Sequence, residues 1–144
     1  MFGVRISPLT QEMLYYAENG APERQALISI MDHKRDAWER FPAPRVLRLC
    51  FEDAVDADNG QNLVTAEQAE AVCRFVLRVK DEIDTLIVHC TAGVSRSAAV
   101  AAAVQKGLGE SDETIWNDPR YCINGLVYTV VLAAFENARE DGLF

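Results

Sequence analysis

Cys90 and Arg96 stand six residues apart in the run TLIVHCTAGVSRSAAVAAAV, from Thr85 to Val104. A thiol attacks as the thiolate, and inward amides, a helix N-terminus and a guanidinium all favour that form. Together they lower a cysteine pKa from about 8.5 to roughly 3.5–7.5. The guanidinium also presents a planar fork to two oxygens of a tetrahedral oxyanion. Cys90 is therefore expected as a nucleophile and Arg96 as the group that grips the anion and follows its developing charge. Ser97 is expected to hydrogen-bond the sulfur and stabilise it as a leaving group. His89 is expected to support the loop through hydrogen bonds rather than to act as a base.

These residues need a strand that ends at His89-Cys90, a short loop, and a helix opening at Arg96-Ser97. The apolar run Thr85 to His89 and the alanine-rich run Ser97 to Lys106 supply the two flanks. In such a loop the amides of residues 91 to 96 turn inward as an anion nest, with the helix dipole adding positive potential. Thr91, Ala92, Gly93, Val94, Ser95 and Arg96 are thus the expected substrate-binding residues, Gly93 tolerating the dihedrals that the turn requires. The small side chains of the helix would let it lie close against a sheet, and Gly107 and Gly109 would end it.

Other β-leaning runs cover Gly3 to Ile6, Ala26 to Met31 and Val46 to Phe51. A helix is predicted from Thr65, whose T-A-E-Q continuation forms a capping box, with Ala69, Val72, Cys73, Val76 and Val79 on one face. After the break at Asp118-Pro119, Val127, Val130, Val131, Ala134 and Phe135 mark a final amphipathic helix. Strands alternating with helices predict an α/β domain: a mostly parallel central sheet with helices on both faces and ligands at the strand C-termini. Residues 1–144 read as a single catalytic domain, with no repeat or Pro/Ser-rich linker. Glu52 to Val64 is the one long polar loop, of a length that often accompanies function.

The composition is that of a soluble globular protein, with 49% hydrophobic and 25% charged residues. No secretory signal or membrane-spanning run is legible, which points to a cytoplasmic location and no membrane partner. Cysteines 50, 73, 90 and 122 form no C-x-x-C pair and only two histidines are present, so neither a metal site nor a disulfide framework is expected. A net charge of -8 argues against nucleic acid as a partner. No cofactor is implied, and an anionic substrate must be held by local chemistry.

A Cys and an Arg at this spacing are weak evidence alone, since any given residue occupies a position about one time in twenty. The adjacent His, the Gly three residues on, the serines flanking Arg96 and the strand–helix context make the composite specific. H-C-T-A-G-V-S-R-S resembles the H-C-x-x-G-x-x-R-S/T signature of the protein tyrosine phosphatase superfamily, and is most like its compact dual-specificity members. The resemblance extends to the whole chain, whose signature lies past the middle. It implies hydrolysis of phosphotyrosine monoesters, with phosphoserine or phosphothreonine as further substrates, through a phosphocysteine intermediate. The expected partner is a phosphorylated protein or a small aryl phosphate.

Members of that superfamily protonate the leaving oxygen with an aspartate on a loop upstream of the cysteine. Asp53, directly after the Val46 to Phe51 run, is the favoured counterpart. Asp56 comes next, and Asp58 is a third candidate. Solvation of a surface loop is the commoner fate of any one such carboxylate. Thr91, Ala92 and Val94 carry no positive charge, which disfavours highly phosphorylated lipid head groups.

Two rival readings share the loop logic: a rhodanese-like sulfurtransferase or thiol-dependent arsenate reductase, and a catalytically dead phosphate-binding module. Cys50 and Cys73 are expected as core residues, with a protective disulfide from Cys50 or Cys122 to Cys90 a remote alternative. His33 is expected in a solvated turn, while Trp38 and Trp116 are expected to pack. Asn124 resembles a position that is asparagine in the superfamily and equally suits a helix N-cap.

Overall fold

A computed structural model describes residues 1–34, 42–56 and 60–144. The described elements are β1 (Gly3–Ser7), α1 (Gln11–Asn19), β2 (Gln25–Met31), β3 (Val46–Cys50), α2 (Ala66–Val79), β4 (Thr85–His89), α3 (Arg96–Gly107), α4 (Glu113–Trp116) and α5 (Gly125–Glu140). The four strands form one sheet in the order β1-β4-β2-β3, and every pairing is parallel. The expected mostly parallel sheet is thus parallel throughout the described residues.

Register brings the chemistry to one edge. Ser7 and Ser29 both pair with His89, and Met31 pairs with Cys50, so the C-terminal ends of all four strands converge where Cys90 emerges. Ligands of parallel α/β sheets sit along that edge. Strands β2 and β4 are nearly continuous buried apolar runs because helices cover both faces. Alternation along the strands sends Leu27 and Ile87 to the face covered by Met13 and Ala17 of α1. Ala26, Ile28, Leu86 and Val88 face the larger core shared with α2, α3 and α5.

Helix α3 is central, as its composition predicted. Residues 98–104 are completely buried, and their short side chains let the helix press on both sheet and α5. Gly107 is its last residue rather than a cap beyond the end. A Cβ at that position would stand 2.5 Å from Phe135 Cγ, so a hydrogen there permits the contact between α3 and α5.

The capping box of α2 forms in full: Gln68 N donates to Thr65 Oγ1, and Thr65 N to Gln68 Oε1. The same glutamine donates from Nε2 to the Cys50 carbonyl at 2.8 Å, tying the cap to the end of β3. Glu52 N bonds to the Asn62 carbonyl at 2.8 Å, closing the base of the polar loop that follows β3. Helix α1 was not anticipated, although Thr10 caps it by accepting from Met13 N. Among the described residues no helix is long and apolar enough to cross a membrane.

Candidate active site

The turn between β4 and α3 is tied down by its own carbonyls. Leu9 N donates to the Thr91 carbonyl at 3.1 Å, Cys122 N to that of Val94 at 2.8 Å, and Ala99 N to that of Ser95 at 3.0 Å. Carbonyl and following amide point opposite ways across a trans peptide. Holding these three carbonyls away turns the amides of Ala92, Ser95 and Arg96 in the opposite direction, as an anion nest requires. Gly93 has φ +72°, and a Cβ there would lie 2.5 Å from Pro8 N. Both the backbone conformation and the approach of the β1–α1 connection therefore require glycine.

Cys90 Sγ sits 3.1 Å from Ser97 Oγ and accepts from Gly93 N at 3.3 Å. The residue is only 2% exposed, and Ser97 is completely buried. Burial by itself pushes the Cys90 thiol up. The Ser97 hydroxyl, the Ser97 and Gly93 amides and the Arg96 charge outweigh it, leaving the pKa below the ordinary thiol value. Ser95 occupies the N-cap of α3 but makes no side-chain cap. The first-turn amides of the helix are thereby left to the sulfur and to an anion.

Arg96 is 4% exposed, and most of its donors are spoken for. Nη1 donates to Asp32 Oδ1 at 2.5 Å and to the Phe51 carbonyl at 2.8 Å, while Nη2 donates to Thr91 Oγ1 at 3.2 Å. Nε is buried with no partner among the described residues. Of the five N–H groups of a guanidinium, the unused ones are Nε–H and one on Nη2. They lie on one edge, in the geometry that takes two oxygens of a phosphate. A buried donor left bare is costly, and an anion on this edge would relieve that cost.

Asp53 meets this loop from the other side. Its Oδ1 accepts from Ser95 Oγ and from Asn124 Nδ2, each at 2.9 Å. Asn124 also caps α5, its Oδ1 accepting from Val127 N at 3.1 Å. The N-cap reading of Asn124 holds, and the same amide also donates to the Asp53 carboxylate. Asp56 is exposed on the same segment and lines a groove of about 350 Å³ with Asp53, Ser95, Cys122 and Asn124. Asp58 and Trp38 lie outside the described residues.

His89 is fully buried. Its Nε2 is 2.6 Å from Ser29 Oγ on the neighbouring strand and its Nδ1 is 3.4 Å from the Cys90 carbonyl. Burial, assisted by the Arg96 charge and opposed by the bond to Cys90, holds the imidazole below its usual pKa. Cys50 departs from the expected core role: it is half-buried, and its thiol donates to the Asp32 carbonyl at 3.3 Å. Burial and then Asp32 push that thiol up. Cys73 is buried as expected, while Cys122 is exposed. Trp116 is 46% exposed, with its ring edge-on to Tyr128 and its Nε1 donating to Asp112. Asp32 was missed, because no motif distinguishes it within Met31-Asp32-His33-Lys34; its meeting with Arg96 depends on the adjacency of β2 and β4.

No curated protein matches the chain. Solved structures do match its fold along nearly the whole length. PTPMT1 in complex with PI(5)P is 18% identical, with 97% of this chain and 94% of that one covered and a TM-score of 0.60. Human DUSP28 is 16% identical over 96% of this chain and 94% of its own, at a TM-score of 0.57. The PTP-2 phosphatase of Cydia pomonella is 18% identical, covering 91% and 84%, also at 0.57. The model of the tyrosine phosphatase family matches residues 28–135, from within β2 to within α5. That span takes in the sulfur, the guanidinium and the carboxylates around them, and the chain belongs to the tyrosine phosphatase family.

Proposed function

We propose that the protein hydrolyses phosphotyrosine-like aryl monoesters through a phosphocysteine intermediate. The observation that carries this reading is the pairing, in one loop, of a sulfur held by Ser97 and Gly93 with the bare, buried Nε of Arg96. The Nε–Nη2 edge of Arg96 and the amides of the 91–96 loop bind the phosphate. The Cys90 thiolate attacks phosphorus, forming the S–P bond as the P–O bond to the leaving group breaks. Asp53 gives its proton to the departing oxygen. Its Oδ1 is fixed by Ser95 and Asn124, so Oδ2 is the oxygen left to carry that proton.

In the second step water attacks phosphorus and loses a proton to Asp53, while the S–P bond breaks. The Ser97 hydroxyl then donates to the returning thiolate, and His89 with Ser29 holds the strand end beneath it. Family membership and fold support a phosphoric monoester hydrolase; aryl preference is the finer part of the proposal.

A phosphoinositide substrate is a second reading, suggested by likeness to PTPMT1, whose structure holds PI(5)P. Residues 91–95 carry no basic side chain, and Asp32 and Asp53 stand at the mouth, which weighs against polyphosphorylated head groups. Phosphate release from para-nitrophenyl phosphate, phosphotyrosine and phosphoserine peptides, and PI(5)P in vesicles tests the proposal, with Cys90→Ser as control. Preference for PI(5)P would overturn the aryl reading. Phosphopeptide binding without turnover would favour the dead module, and arsenate or thiosulfate turnover the rival thiol enzymes.

A further inference from the structure

Glu52 immediately precedes Asp53 and grips one residue across the polar loop by both of its backbone groups. Glu52 Oε2 accepts from Asn62 N at 2.6 Å, and Glu52 N donates to the Asn62 carbonyl at 2.8 Å. A backbone N–H on a carboxylate is a charge-assisted bond, roughly twice as strong as a neutral one. Ala54 N donates to the Glu52 carbonyl at 3.0 Å, which closes a three-residue turn with Asp53 at its centre. Amide, carbonyl and carboxylate of Glu52 are thus all spent on that turn or on the clamp to Asn62. The residues on either side are seated, since Phe51 and Ala54 are buried and the Ala54 carbonyl accepts from Asn124 Nδ2 at 3.2 Å. Asp53 itself is exposed, so its side chain is aimed by the turn and by the bonds from Ser95 and Asn124 rather than by packing.

We propose that Glu52 is a positioning residue for Asp53. Its clamp on Asn62 fixes the turn that carries the aspartate, and so the point from which Asp53 Oδ2 delivers its proton. Placement acts on the transition state, where an error of about 1 Å is worth up to ~10²-fold in rate. The effect of Glu52 must then pass through Asp53 and vanish when Asp53 has no proton to give. A bond that merely stabilised the loop would act whether or not that proton were present.

This inference rests on the phosphatase reading with Asp53 as proton donor, and its test keeps the two apart. Wild type, Glu52→Ala, Glu52→Gln and Glu52→Asp are compared by kcat and KM on phosphotyrosine peptide, each alone and combined with Asp53→Asn. Hydrogen exchange over residues 52–56 and melting temperature are measured on the same proteins. Glu52→Ala should lose about 10- to 100-fold in kcat with little change in KM. Glu52→Gln, whose amide oxygen still accepts from Asn62 N, should stay within about fivefold of wild type. Glu52→Asp keeps the charge without the reach and should follow Glu52→Ala. In the Asp53→Asn background, Glu52→Ala should change kcat by less than about twofold. Unchanged kcat in Glu52→Ala, no recovery in Glu52→Gln, or an equal loss in both backgrounds would each overturn the role. Should Glu52→Ala not fold, Glu52→Asp set against Glu52→Gln in the two backgrounds decides. An inactive wild type would overturn the phosphatase reading, and hydrogen exchange would still test the clamp. Exchange should then quicken in Glu52→Ala and not in Glu52→Gln, and equal rates would overturn it.

Discussion

Ser95 donates from Oγ to Asp53 Oδ1 at 2.9 Å, joining the loop that holds Cys90 to the segment that follows β3. The hydroxyl is therefore spent across the site and not on capping α3. With Asn124 as the second donor, the carboxylate is fixed from both flanks of the groove.

Asp53 is accordingly expected to be the proton donor. Asp53→Asn should lower kcat on phosphotyrosine peptide by about 10²- to 10⁴-fold, whereas Asp56→Ala should stay within a few-fold of wild type. Steady-state rates for the two variants decide it, and a larger loss in Asp56→Ala would reverse the assignment. Asn124→Ala should reduce kcat as well, and should also cost about 1 kcal/mol of stability through the lost N-cap of α5.

The Cys90 thiolate is stabilised mainly by Ser97 against the opposing effect of burial. Iodoacetamide alkylation of Cys90 should therefore half-titrate below the ordinary thiol value. Ser97→Ala removes the hydroxyl donor, so its midpoint must move up. Rates followed by mass spectrometry across pH check the sign; an unshifted or lower midpoint would show that the hydroxyl does not stabilise the anion.

Burial holds His89 neutral, below its ordinary value of 6.5. Its folded-state pKa is depressed, so the unfolded chain binds the proton more readily. The stability tied to the neutral ring is complete above pH 6.5 and is lost as pH falls toward the folded pKa. Chemical unfolding of wild type and His89→Asn from pH 8 to 5 should show a steeper acid loss in wild type. Parallel curves would refute the linkage.

Gly93→Ala meets both a positive φ and the Pro8 backbone. The strain is worth roughly 1–3 kcal/mol, and the loop must shift to relieve it. Lower melting temperature and lost phosphate binding are expected together; wild-type values for both would mean that the turn tolerates a side chain.

Much of this molecule is written locally. The apolar runs became β1 to β4 within a residue or two, and β2 and β4, buried on both faces, read as continuous apolar stretches. The capping box at Thr65 and the alanine run of α3 likewise carry their own geometry. Cys90, Gly93, Arg96 and Ser97 were legible because they lie in one continuous run of strand, loop and helix, which Leu9, Pro8 and Cys122 then hold in place. Helix α1 was overlooked although Thr10 and the spacing of Met13 and Ala17 signal it.

What the chain order could not decide is which distant carboxylates face the loop. Asp53 was favoured among three aspartates for its place after the β3 run, but its bonds to Ser95 and Asn124 exist only because α5 docks beside the segment that trails β3. Asp32 was invisible because its significance is a contact across 64 residues, created when parallel pairing sets β2 between β3 and β4. Local rules determine dihedrals and periodicity, and so the strand, loop and helix that carry the nucleophile; the sheet order determines which distant charges come to surround it.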